Sequence, residues 1–408
     1  MMRPYRLLVL SSHPIQYQAP MHRALATRSE LDLTVLFCSD WGLTPYRDKG
    51  FGHDIKWDTP LLDGYRSTFL RNWSWRPALH RFWGVLNPGV VRCILRQRYD
   101  AVLVYGWGRA TNWLAMAAAA ASRTPLLLRG ESNLLNSVSP VKKLLKKIML
   151  RPLFATTAGF LSIGRYNTEF YRNWGVPTDK IYLTPYAVDN DFWVGQSALL
   201  GPRKSQLKCE LGFDPNMPVV LFAGKLIAVK RPFDLLQAFN QVSKRVAAGL
   251  VFLGDGELRQ ELETYARQRR LPNVRFVGFK NQTEIAPFFA LADVFVLPSG
   301  CEPWGLVINE AMCFGLPVIA SDKVGAAGDL VQPGVNGYVY PAGNVDALSE
   351  HLEELLLNPA LRHAAGQASR ELIQNWGIPQ IVDGVLKCLR GVVGKQSDFC
   401  VMTRSQTG

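Results

Sequence analysis

The chain offers no apolar run of the roughly 20 residues needed to span a bilayer, no C-x-x-C pair among its seven cysteines, and too few acidic groups to balance its basic ones. Each shortage excludes something. The Ala-rich stretch from Trp113 to Ala121 stops at Ser122-Arg123, so no membrane span is expected. The opening run Leu7-Leu8-Val9-Leu10 falls short of the 7–15 apolar residues, roughly, of a signal-peptide core and reads as a first strand. An odd cysteine count without paired spacing fits neither a disulfide framework nor a zinc site, which makes a reducing cytoplasm the expected compartment.

What is present is ordinary for a globular protein: 48% apolar and 19% charged residues, with Gly and Pro scattered throughout. A chain of 408 residues exceeds one ordinary core, because cores stop growing at roughly 250–300 residues, so two domains are expected. The formal net charge is +13, and residues 1–195 carry +12 of it, together with nine of the eleven tryptophans. Two segments stand out. Residues 139–151 read as a helix with Lys142, Lys143, Lys146 and Lys147 beside an apolar stripe at Val141, Leu144, Leu145 and Ile148, while Arg71 to Trp83 mixes aromatics with cations. An anionic membrane surface suits such segments; an ordinary surface helix packed on its own domain accounts for the first equally well. Nucleic acid is not an expected partner, since none of its usual motifs occurs.

Apolar runs at 219–223, 250–253, 274–277, 294–297 and 317–320 alternate with helix-length segments near 231–246, 257–270, 282–290 and 305–315. Such a series predicts a parallel, doubly wound α/β sheet. The N-terminal half repeats the rhythm, with strands at 6–11, 33–37, 101–105, 125–129 and 159–163 and helices near 17–27, 88–97, 110–122 and 165–174. Residues 40–85 read as irregular and 190–215 as a linker rich in Asp, Asn, Gly and Pro. The expected domains are 1–195 and 196–377, with a last helix near 378–391 that could cross back to the first. Open α/β sheets bind ligands at the carboxyl ends of their strands, so two of them joined by a linker should form a cleft.

The motifs fall at those ends. In the stretch Leu297 to Ala320 a strand, a turn and a helix place Glu302 at the strand end and Glu310 on the helix. The amides of Trp304, Gly305 and Leu306 open that helix and, with its dipole, form an anion site, where Gly305 permits close backbone approach. Carboxylates beside an anion site are poor neighbours for phosphate and good acceptors for hydroxyls, so the ligand should carry both a diphosphate and sugar rings. Gly224-Lys225, with Lys230 five residues on, forms a second such loop. Its two lysines would neutralise a diphosphate leaving group as a metal ion does elsewhere, and no metal or other cofactor is expected.

Glu302-x7-Glu310, the Gly224-Lys225…Lys230 loop, Leu253-Gly254-Asp255-Gly256, Gly315 to Ala320 and Pro185-Tyr186-Ala187-Val188-Asp189…Phe192 resemble the retaining GT-B glycosyltransferases of family 4. The resemblance covers about 160–374 strongly and the first domain loosely. It implies the GT-B fold, two Rossmann-like domains facing a central cleft. It also implies that Glu310 binds the donor ribose, that Glu302 meets the transferred sugar, that Lys225, in place of the commoner Arg, and Lys230 hold the diphosphate, and that Arg275 to Gly278 lie beside the base with the Val277 backbone as its reader. The N-terminal half departs from the family pattern, with Ser11-Ser12-His13-Pro14 for a Gly-rich loop and Leu128-Arg129-Gly130-Glu131 where relatives often place a His. His13, Arg129, Glu131 and Trp107 are the acceptor-side candidates, His13 and Glu131 with a catalytic part, and Arg165 is a candidate phosphate ligand. The implied activity is sugar transfer from a nucleotide diphosphate sugar to a hydroxyl of a lipid-linked or polymeric glycan. A GT-B sugar-nucleotide epimerase or a binding-only relative is the alternative.

Overall fold

The computed structural model of the chain describes residues 3–48, 50, 52–135 and 140–404, without the side chains of residues 140, 142, 143 and 395–404. Fifteen strands occur among them: β1 Tyr5–Ser11, β2 Leu31–Phe37, β3 Tyr46–Arg47, β4 Asp54–Ile55, β5 Ser67–Phe69, β6 Ala101–Tyr105, β7 Leu126–Arg129, β8 Gly159–Ser162, β9 Ile181–Leu183, β10 Val219–Ala223, β11 Gly249–Leu253, β12 Val274–Gly278, β13 Val294–Leu297, β14 Val318–Ser321 and β15 Gly337–Tyr340. They build one seven-stranded sheet, ordered β5-β2-β1-β6-β7-β8-β9, one six-stranded sheet, ordered β12-β11-β10-β13-β14-β15, and the small hairpin β3-β4. Among the described residues every strand pairing in the two large sheets is parallel. The reason lies in the sequence: all five residues of β10 and of β11 are buried, and a strand covered on both faces needs apolar side chains throughout.

The chain divides into two compact units, Met1–Thr44 with Pro60–Pro185 and Ile378–Gly408, and Pro45–Thr59 with Tyr186–Gly377. The first boundary therefore falls at Pro185/Tyr186, ten residues before the expected one, and the expected linker is largely helical. Helices Asn190–Leu200 and Lys204–Glu210 occupy it. Asp189 caps the first, its carboxylate accepting from the Phe192 amide at 3.2 Å, so residues that read as turn formers serve as a helix start. Trp193 anchors that helix in the second unit, fully buried against Phe289 and Phe314.

The last helix, Ile378–Arg404, belongs to the first unit. It buries Val385, Leu386, Cys388 and Leu389, with the Cys388 Sγ seated against Gly159 of β8. Residues 40–85 are not wholly irregular. They supply β5, which extends the first sheet beside β2, and the hairpin β3-β4, which joins the second unit.

Candidate functional site

In the second sheet β10 lies between β11 and β13, so crossovers leave in opposite directions on its two sides. This reversal is the switch point at which doubly wound sheets leave a crevice beyond the strand ends. Both expected donor loops start there. One follows β10 and carries Gly224, Lys225 and Lys230; the other follows β13 and carries Glu302 and the start of helix Leu306–Cys313. The loops are stitched together, because the Gly300 amide donates to the Val229 carbonyl at 2.8 Å and the Lys230 ammonium contacts the Glu302 carboxylate.

Backbone geometry fixes the first loop. The Gly224 amide donates to Leu253 O at 2.9 Å and Leu226 to Asp255 O at 2.8 Å. A Cβ on Gly254 would stand 2.0 Å from the Gly224 carbonyl, so no other residue fits where these two strand-end turns cross. Lys230 is followed by Arg231, a non-glycine residue in the left-handed region at φ 50°, a conformation that costs on the order of 1–3 kcal/mol. Arg231 is held there by Asp234, Nε to Oδ2 at 2.6 Å, and the turn aims Lys230 at Glu302. Burial, and then the charge of Lys225, push the Lys230 ammonium down to about 8.

The second loop enters its helix through Gly305 at φ 98°. Among the described residues no acceptor engages the amides of Trp304, Gly305 and Leu306, which leaves the helix start open to an anion. The Trp304 side chain, by contrast, is core. It is 3% exposed, stacks on Trp376 at 5.5 Å and donates to Asn309 Oδ1 at 3.0 Å, so only its backbone is placed to meet a ligand. Glu310 sits in the second turn of the helix. Burial pushes its carboxyl up to about 8, with a hydrogen bond from Gln282 pulling the other way, and the group is therefore neutral at pH 7.

Lys225 is engaged by a residue that sequence reasoning missed. Its ammonium donates to both carboxylate oxygens of Asp48, at 2.8 and 2.9 Å. Asp48 lies in the stretch that reads as irregular, 177 positions away, and no local pattern marks it. Val277 lies on β12, where the neighbouring Gly278 carbonyl accepts from Gly254. Arg275 faces away from a base-reading role: its guanidinium donates to Leu211 O and Gly212 O and lies over Phe213.

In the first sheet the order reverses between β1 and β6. His13 follows β1 and Trp107 follows β6, so both lie at that unit's own switch point. Burial, then the nearby Arg109 charge, push His13 down to about 4, leaving a neutral imidazole whose Nδ1 meets Ser12 Oγ at 2.9 Å. One acceptor-side expectation needs correction, and a second candidate is half-buried against the core. Arg129 is buried and donates to Thr184 Oγ1 and Pro185 O, which makes it a brace for the exit of β9. Trp107 stacks on Phe170 at 6.2 Å and meets Phe154 edge-on, because the turn at Gly106 folds its ring back onto the core cluster. Glu131 is exposed, and Arg165 opens helix Arg165–Asn173 with its Nε 3.0 Å from Glu169.

Residues 204–372 match the family model described as glycosyl transferases group 1. The fold is that of the GT-B glycosyltransferases. It is shared with a glycosyltransferase from Rickettsia africae, at TM-score 0.71 and 14% identity over 96% of this chain and 99% of that one. HepE of Anabaena, solved in complex with UDP, superposes at TM-score 0.71 and 19% identity over 95% and 99% of the two chains. Among curated proteins, a sulfoquinovosyl transferase of Arabidopsis thaliana is 34% identical over 161 residues, 39% of this chain and 30% of its own. An alpha-D-kanosaminyltransferase of Streptomyces kanamyceticus is 28% identical over 210 residues, 51% and 53% of the two chains. The chain spans 30–53% of the length of the curated relatives it matches.

Proposed function

We propose that the protein is a retaining glycosyltransferase of family 4 that moves a sugar from a nucleoside diphosphate sugar to a hydroxyl acceptor. One observation carries the reading: the β10 and β13 loops bring two ammonium groups, a carboxylate and open helix-start amides to a single switch point. Cations and amides suit a pyrophosphate and carboxylates suit hydroxyls. Glutamates, lysines and glycines all stand in the matched span 204–372, and HepE, of the same fold, was crystallised with UDP and with UDP-glucose.

On this reading Lys225, Lys230 and the amides of Trp304 to Leu306 take the leaving diphosphate, Glu310 holds the ribose hydroxyls and Glu302 those of the transferred sugar. The Val277 backbone reads the base, while Gly224 lets the backbone approach the phosphates. Arg165 is a further proposed phosphate ligand. Catalysis is positioning plus stabilisation of the charge developing on the pyrophosphate, and the lysines perform this without a metal. His13, neutral at pH 7, together with Glu131, serves the acceptor side. The acceptor is a lipid-linked or polymeric glycan in surface polysaccharide assembly.

The same unit presents a membrane-facing helix, on our reading, at Pro140–Thr156. Val141, Leu144, Leu145 and Ile148 are 59–68% exposed there, so the apolar stripe is not spent on packing within the unit. Lys146 and Lys147 are exposed beside it. Ser139 and the side chains of Lys142 and Lys143, the other half of the basic face, lie outside the described residues.

To test the activity, a panel of nucleotide sugars is screened for thermal stabilisation and the stabilising donor is then assayed for transfer. Lys225→Ala and Glu310→Ala should each lower kcat/KM by about 100-fold, the scale of removing one charge-stabilising group. Wild-type turnover in the Glu310 variant refutes the assignment. An isomerised donor formed without acceptor identifies an epimerase instead, and the anomeric configuration of the product decides retention.

A further inference from the structure

The hairpin segment Pro45–Thr59 leaves the first unit between β2 and β5 and folds onto the second. Five of its residues hold the loops that surround the proposed donor site. Asp48 places both carboxylate oxygens on the Lys225 ammonium. Gly50 backs the same side chain so closely that a Cβ there would stand 2.6 Å from Lys225 Cδ. His53 Nε2 meets the Asp255 carboxylate at 3.2 Å. At the base of the hairpin the Lys56 carbonyl accepts from Asn281 at 2.6 Å and the Asp58 carboxylate binds Thr283 through both its amide and its hydroxyl. Between those two anchors stands Gln282, the partner of Glu310.

Tyr46 pairs with Ile55 and Arg47 with Asp54, and Asp48 closes the turn by accepting from the Gly50 amide at 2.8 Å. An anionic carboxylate therefore stands on the cation that the donor reading assigns to pyrophosphate. Two anions competing for one ammonium repel each other, and the weaker is displaced.

We propose that Pro45–Thr59 is a nucleotide-displaceable strap on the donor site, with Asp48 as the anion that a nucleoside diphosphate must remove from Lys225. This rests on the donor-site reading above. The anchors at Asp255, Asn281 and Thr283 lie away from Lys225 in sequence and keep the strap attached after Asp48 lets go. Donor binding thereby releases one end of a segment whose chain leads directly into the sheet of the first unit.

Asp48→Asn tests the proposal, since the amide keeps the acceptor for Gly50 and removes the charge. UDP, GDP, ADP and dTDP are titrated calorimetrically into the wild type, Asp48→Asn, Lys225→Ala and the double variant. The expected result is a 5- to 20-fold gain in nucleoside diphosphate affinity for Asp48→Asn, and no such gain when Lys225 is also removed. Hydrogen exchange provides a second readout that does not depend on the variants: saturating nucleotide should raise amide exchange in residues 46–55 of the wild type. Equal or weaker binding by a folded Asp48→Asn protein overturns the strap while leaving the donor site standing. If none of the four nucleotides binds either the wild type or Asp48→Asn, the donor site and the strap fall together.

Discussion

Lys230 and Glu310 are both drawn toward the middle of the pH scale, and in opposite senses. Burial and the Lys225 charge lower the ammonium of Lys230 to about 8, and burial raises the carboxyl of Glu310 to about 8. The contact with Glu302 opposes the first shift, since an opposite charge favours the ionised form. Above pH 8 Lys230 loses its positive charge and Glu310 gains a negative one, and both changes make the site less hospitable to a pyrophosphate. With the donor, kcat/KM should accordingly be level from pH 6 to 7.5 and fall as the pH rises through about 8. Lys230→Arg, whose guanidinium stays charged, should retain only the part of the fall that belongs to Glu310. A profile in that variant indistinguishable from the wild type would show that Lys230 is not a titrating group of the reaction. At this scale the sequence is a good guide to residue type and a poor one to orientation. Arg129 has the chemistry of an acceptor contact, yet it is turned inward by packing that no local pattern announces, and Trp107 rests half-buried on the core.

Among the elements, the turn and helix after β13 show how one segment divides its labour. Trp304 and Asn309 face the core while the helix-start amides meet no acceptor among the described residues, a split that follows the left-handed turn at Gly305. Trp304→Phe keeps most of the stacking on Trp376 and removes the donor to Asn309, and should cost about 1–3 kcal/mol in guanidinium unfolding with the donor KM unchanged within twofold. A tenfold rise in KM at unchanged stability would mean that the indole contacts the donor. The strands and helices bearing these motifs are legible in advance because fully apolar five-residue runs and Gly-bounded turns are local signals. The stretch 190–215 is less so. Asp189, Asn190 and Asp191 suit a coil as well as a helix start, and it is the burial of Trp193 that decides for the helix.

For the whole molecule the open question is where it works. No helix among the described residues is long and apolar enough to cross a membrane, while the helix Pro140–Thr156 leaves five large apolar side chains uncovered beside lysines. Each basic group near anionic headgroups contributes about 1 kcal/mol, so flotation with liposomes containing anionic lipid should carry the wild type upward. A variant with Lys142, Lys143, Lys146 and Lys147 all changed to Glu should stay behind, and equal flotation of the two ends the membrane reading. By itself the sequence determined the two parallel sheets and the loops after β10 and β13, since apolar runs, caps and glycine turns act over a few residues. Tertiary structure alone decided that Asp48 sits on Lys225, that the unit boundary falls at Pro185/Tyr186, and which aromatic rings are core. Those outcomes depend on which distant segments share a burial site, and burial is a property of the folded chain rather than of any stretch of it.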